Sequence, residues 1–175
     1  DVARQAFEQL HAVAVRQEFN QARPQAVADA ARGPRALRRV VDATVAVKWI
    51  VAEDGSDRAT ALLSEASALY SPHLVAIETV ATLTKKLRRK LVSASFVRNG
   101  ARFIDSHIRG GQLLLHPDAA LLAPATDLSI ELGHPLYDCL YLSLAIIVDA
   151  PLVTADRQFQ QKIAATKLGR HILLL

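Results

Sequence analysis

From residue 37 onward, short apolar runs alternate with stretches in which apolar residues recur at the three-to-four spacing of a helix face. "RVVDATVAV" predicts a buried strand with a turn at Asp42-Ala43-Thr44, "ALYSP" a short strand stopped by Pro72, "QLLLHP" a third strand, "PLVTADRQF" a fourth and "HILLL" a last one at the chain end. Between them, "DRATALLSEA", "PHLVAIETVATLTKKLRRKL", "SASFVRNGARFIDSHI", "DAALLAPATDLSIELG", "LYDCLYLSLAIIVDA" and "QFQQKIAATKLG" predict helices. Gly110-Gly111 and Gly133 mark two helix ends. Strands that are short, apolar throughout and separated by helices cannot pair as hairpins. They predict an α/β fold, a three-layer α/β/α sandwich around a mainly parallel sheet of four to five strands.

The first stretch has a different texture. Residues 1–36 are rich in Ala, Arg and Gln, could form a helix with Phe7, Leu10 and Ala14 along one side, and break at Pro24 and Gly33-Pro34. They are expected to be a helical or irregular appendage to a domain spanning 37–175. Arg32, Arg35, Arg38 and Arg39 raise the idea that this segment docks on an acidic surface, against the simpler expectation of an upstream extension with no role. The chain begins with Asp1 and contains no Met, which points to a fragment or to a start elsewhere, for example near Leu37 or Val40.

Composition narrows the function classes. With 51% hydrophobic and 22% charged residues over 175 positions, the chain can bury a full-sized core and stay globular. No run approaches the roughly 20 apolar residues of a membrane helix, and no signal peptide is legible, so a cytoplasmic location without a membrane partner is the expectation. The single Cys139 excludes an internal disulfide and, with no ligand at suitable spacing, a zinc site; a small buried hydrophobe is expected there. The net charge of +4 says little, because residues 1–41 hold seven Lys/Arg against four Asp/Glu and the remainder is nearly neutral. Locally, "TKKLRRK" gathers Lys85, Lys86, Arg88, Arg89 and Lys90 at a helix end. That run is either a solvated face suited to the helix dipole or a phosphate-binding patch.

Four carboxylates sit in apolar surroundings. Asp42 ends the first strand, Glu78 lies within "LVAIETVATL", Asp138 heads the run "HPLYDCLYLSLAII", and Asp156 follows "PLVT". Taken singly, Asp42 suits a turn, Asp138 a helix start and Asp156 a turn or N-cap. Taken together, a parallel sheet brings the ends of the first and fourth strands to one edge, with the helix starts carrying Asp138 and Glu78 beside it. Carboxylates gathered at one place repel one another unless they share a cation. Such hard oxygen donors suit Mg²⁺ or Mn²⁺ and the hydrolysis of phosphodiesters.

With these residues in place the chain resembles the PIN-domain ribonucleases of the VapC toxin type. "VVDATVAVKWIVAEDGS" resembles the opening motif of that family, "SPHLVAIETVATLTKKLRR" the segment with its metal-site Glu, "HPLYDCLYLSLA" its second Asp, and "PLVTADRQF" its Thr-x-Asp motif. The likeness covers roughly residues 38–175, in the family's order, and leaves residues 1–36 without a counterpart. It implies metal-site roles for Asp42, Glu78 and Asp138, with Asp156 as a fourth acid often bound through water. It further implies orienting roles for Thr44 and Thr154, an Mg²⁺-dependent endoribonuclease that is the toxin of a toxin–antitoxin system, a homodimer, and a cognate antitoxin that inserts a tail into the acidic groove. Lys85, Lys86, Arg88 and Arg89 are the candidates for contacts to the RNA backbone, and Lys48 and Arg157 lie closer in sequence to the acidic positions. A haloacid-dehalogenase-like phosphatase also begins with an apolar strand and an Asp. That chemistry wants a second Asp two places on, where Thr44 stands. A catalytically silent RNA-binding module is the non-enzymatic alternative, and the presence of all four acids speaks against it.

Overall fold

The computed structural model describes residues 37–175. The expected appendage over residues 1–36 lies outside the described residues, as do Arg32 and Arg35 of the docking idea; Arg38 and Arg39 are described and open the first strand, at the end away from Asp42 and not at the acidic edge. Five strands form one all-parallel sheet: β1 (Arg38–Val41), β2 (Ala68–Pro72), β3 (Leu113–His116), β4 (Leu152–Thr154) and β5 (Ile172–Leu174), in the order β3-β2-β1-β4-β5. Seven α-helices are interleaved among the described residues: α1 (Ala43–Lys48), α2 (Ser56–Glu65), α3 (Leu74–Arg88), α4 (Ala94–Arg109), α5 (Asp118–Leu132), α6 (Leu136–Val148) and α7 (Arg157–Ala164). The sheet and its helices form the expected three-layer α/β/α sandwich, with five strands.

The strands are short because each crosses the core once. β2 and β4 are buried at every position, and the ladder runs in register from Leu69 beside Leu113 to Val41 beside Val153 and Leu152 beside Ile172. Helix α6 is the most apolar element, with eight buried residues from Cys139 to Ile147, and it packs on β1, β2, β4 and α5. Full burial of each Leu, Ile or Phe side chain contributes roughly 1.5–3 kcal/mol, so α6 is anchored far more firmly than its ends require. Helix α4 presents Val97, Gly100 and Ile104 inward, with Phe96 and Phe103 only partly covered. At Gly100 an added Cβ would come within 2.5 Å of the Leu83 Cδ1 methyl, so a larger residue there would force that buried side chain between α3 and α4 to move.

One expected element is different. The strand does not resume after Asp42; it stops at Val41, and Ala43–Lys48 is helical. The Asp42 carboxylate caps that helix, and a buried helix with Ala43, Val45, Ala46 and Val47 all covered looks, in sequence, like a buried strand.

All strands being parallel, their carboxyl ends share one edge. The order reverses at β1: β2 and β3 lie to one side, β4 and β5 to the other. A crevice opens at such a switch point, between the ends of β1 and β4.

Candidate active site

A cleft of about 450 Å³ lies at that edge, lined by Asp42, Glu78, Asp138 and Asp156 together with Thr44, Lys48, Glu53, Lys86 and Tyr141. The four acids come from four different segments: the β1–α1 junction, the second turn of α3, the first turn of α6, and the β4–α7 junction.

Asp42 and Asp156 do the same local work. Asp42 Oδ1 accepts from Val45 N at 3.1 Å and from the Thr44 hydroxyl at 2.5 Å, capping α1. Asp156 Oδ1 accepts from Gln158 N at 2.8 Å and Phe159 N at 3.0 Å, capping α7. Neither cap engages Oδ2. The turn-and-cap alternatives weighed for these residues are therefore realised without removing either acid from the cleft. They differ in burial: Asp42 is 6% exposed, whereas Asp156 is exposed and not in an apolar setting as its sequence context suggests.

The two threonines join these ends. Thr44 Oγ1 accepts from Ala155 N at 2.8 Å and lies 3.5 Å from Thr154 Oγ1, which accepts from Asp156 N at 3.0 Å. The β1 and β4 ends are thus laced by hydroxyls across a sequence gap that no local pattern reveals.

Asp138 does not cap α6; its Oδ2 lies 2.9 Å from His134 Nε2, one turn earlier. The His134 ring is stacked on Phe159 at 4.5 Å, which fixes it. Glu78 Oε2 accepts from the buried Tyr141 hydroxyl at 2.5 Å. Asp138 and Tyr141 stand one turn apart on α6, so that helix places one acid and steadies another. The start of α3, which has no cap of its own, is closed by Asp118, whose Oδ1 accepts from Leu74 N at 3.1 Å.

Electrostatics follow from crowding and burial. Burial pushes the Asp42 carboxyl up to about 6, with the Asp138 charge adding to it and the hydrogen bonds from Thr154, Thr44 and Val45 N opposing it. Burial raises Glu78 too, against the Tyr141 hydrogen bond and with help from the Asp138 and Asp118 charges. Asp138 is raised by burial and by Asp156, with His134 pulling the other way. Three carboxyls displaced in one direction are short of positive charge.

Among the described residues no three His, Cys, Asp or Glu side chains stand close enough to cage an ion unaided. The donor set nonetheless fits a hard divalent cation: oxygen atoms only, an excess of negative charge, and a cleft open enough for water to complete the shell, as Mg²⁺ requires.

Of the four basic candidates only Lys86 lines the cleft; Lys85, Arg88 and Arg89 are exposed outside it. Helical geometry explains this, since residues one or two or three places on point 100°, 200° and 300° away. Lys48, singled out for its closeness in sequence to an acid, lines the cleft; Glu53 and Tyr141, which also line it, and His134, which stands against Asp138, were not foreseen as site residues. Nothing local in the sequence marks Glu53, Tyr141 or His134. Cys139 is fully buried, as expected.

Residues 39–164 match the model of the PIN domain. The chain is 30% identical over 129 residues to Ribonuclease VapC3 of Pyrobaculum aerophilum, covering 74% of this chain and 97% of that protein. In fold it is similar to the crystal structure of PAE2754 from the same organism, with a TM-score of 0.59 at 23% identity, over 81% of this chain and 86% of that one.

Proposed function

The chain belongs to the PIN-domain family, and from that premise we propose that it is a divalent-metal-dependent endoribonuclease of the toxin type. The observation that carries the reading is the meeting of Asp42, Glu78, Asp138 and Asp156 in one cleft, with three of the four carboxyls raised by burial and by one another. Asp42, Glu78 and Asp138 would hold the cation, Mg²⁺ or Mn²⁺, with Asp156 reaching it through water. Bound there, the ion would lower the pKa of an attacking water and neutralise charge on the phosphodiester. The chain's own part is to hold these oxygens in place. Thr44 and Thr154 fix Asp42 and Asp156, Tyr141 fixes Glu78, and His134 fixes Asp138. Such supporting contacts typically matter 10–100-fold for metal affinity or activity.

The relative's name, Ribonuclease VapC3, supports RNA as substrate. We extend the proposal to a cognate antitoxin that occupies the acidic cleft, to a homodimer, and to action in the cytoplasm. No helix among the described residues is long and apolar enough to cross a membrane.

The test is cleavage of structured RNA by the purified chain with Mg²⁺, with and without EDTA. Cleavage is expected to need the metal and to be abolished in Asp42→Asn. An unaltered rate in that variant would sink the metal-site assignment, and turnover of p-nitrophenyl phosphate without RNA cleavage would favour a phosphatase.

A further inference from the structure

The segment "KWIVAEDGS", residues 48–56, borders the cleft but supplies none of the four acids. Glu53 accepts from Lys48 Nζ through Oε1 and from Lys86 Nζ through Oε2, each at 3.0 Å. One carboxylate thus bridges two ammonium groups that come from the last turns of α1 and α3.

The bridge is built rather than incidental. Ser56 Oγ accepts from Glu53 N and donates to Val51 O, both at 2.9 Å, which closes the loop that carries Glu53. Lys48 Nζ also donates to Asp54 O at 2.8 Å, and Trp49 Nε1 donates to Ala59 O at 2.8 Å, tying the end of α1 to α2. The Lys48 side chain is only 13% exposed.

Stability alone is a poor reason for this arrangement, since ion pairs at a solvent-accessible rim contribute little. Nor is Glu53 a fifth metal ligand. Both its oxygens are bonded to lysines, and although burial works to raise its carboxyl, the Lys48 and Lys86 bonds bring it below the usual range. What the bridge leaves over is donor capacity. A lysine ammonium has three N–H donors. Lys48 commits two of them and Lys86 one in these bonds, so three N–H groups and one net positive charge remain at the edge of an otherwise acidic cleft.

We infer that Lys48 and Lys86, held side by side by Glu53, form a seat for a phosphate of the RNA backbone. Glu53 is a positioning residue. This rests on the ribonuclease reading above and deepens it by stating how a polyanion is held at a cleft lined with four acids. The lysines act as point charges with rotatable donors, so the seat reads backbone and not base sequence.

RNA affinity is measured against salt concentration for the full chain in the Asp42→Asn background, where the RNA stays intact. One phosphate contact on single-stranded nucleic acid contributes about 0.7 to the slope of log affinity against log salt. Lys86→Ala is expected to lower the slope by about 0.7, equivalent to about fivefold weaker binding at 0.1 M salt relative to 1 M. Lys86→Arg, which keeps the charge on the rim of α3, is expected to restore the slope. Glu53→Gln removes a negative charge, which by charge alone would tighten RNA binding; loss of the seat predicts weaker binding instead. An unchanged slope in Lys86→Ala overturns the seat, and tighter binding in Glu53→Gln overturns the positioning role. Either result with metal-dependent cleavage by the wild-type chain leaves the ribonuclease reading standing, whereas a wild-type chain that neither binds nor cuts RNA overturns both.

Discussion

Replacing Asp42 by Asn removes one negative charge from the cleft while keeping an oxygen for Val45 N and the Thr44 hydroxyl. The wild-type carboxyl titrates at about 6 in the folded chain against an ordinary 3.8. Because the folded value is the higher one, the folded state holds the proton more tightly. Stability from this group is therefore fully present below pH 3.8 and is lost as pH rises through 6. At pH 7 the metal-free wild type is expected to carry an ionisation penalty of about 3 kcal/mol, falling to less than about 1 kcal/mol at pH 4. Asn carries no such penalty. In urea unfolding with EDTA, Asp42→Asn should thus be the more stable protein by roughly 2–3 kcal/mol at pH 7, and the advantage should close as the pH falls to 4. Addition of Mg²⁺ should stabilise the wild type and leave the variant behind. A variant no more stable at pH 7, or one with an advantage independent of pH, would refute the account of Asp42 as a buried carboxylate short of a counter-ion.

Tyr141→Phe removes only the hydroxyl that donates to Glu78, so the Glu78 carboxyl should rise further and the acidic limb of the pH–rate profile move to higher pH, with a stability loss of about 1 kcal/mol by thermal melting. Thr154→Val keeps the shape but leaves Asp156 N without its acceptor and removes a hydrogen bond that holds the Asp42 carboxyl down; chemical denaturation should register a loss of about 1–3 kcal/mol and cleavage assays a fall in rate. Gly169→Ala would put a Cβ 2.8 Å from the Ala164 carbonyl oxygen, and unfolding should show a loss of about 1–3 kcal/mol while RNA cleavage per folded molecule stays unchanged.

The architecture was legible because a parallel sheet writes its strands as uniform apolar runs, and each expected strand and helix is present from β1 to β5. The exception is instructive. "ATVAV" is apolar at nearly every position because α1 is a buried helix, and short buried helices and buried strands share a pattern. The four acids were legible as misfits in apolar text. Their partners were not: Tyr141 meets Glu78 across 63 residues, Lys86 meets Glu53 across 33, and Ala155 meets Thr44 across 111. Such contacts depend on which strands lie side by side, and no local rule carries that information. The basic run shows the reverse failing, since five cations adjacent in sequence are dispersed around α3 and its C-terminal end and only Lys86 reaches the cleft.

Helix α6 carries Asp138 and Tyr141 on its first two turns and buries almost everything after them. Asp138 and the hydroxyl that steadies Glu78 are therefore not held by a lid or a loop that can loosen by itself, but by the same side chains that close the core. On heating, such a site has no melting point of its own. Activity should persist up to the temperature at which the whole domain unfolds and then vanish with it, so thermal inactivation and loss of α6 helicity would be one event.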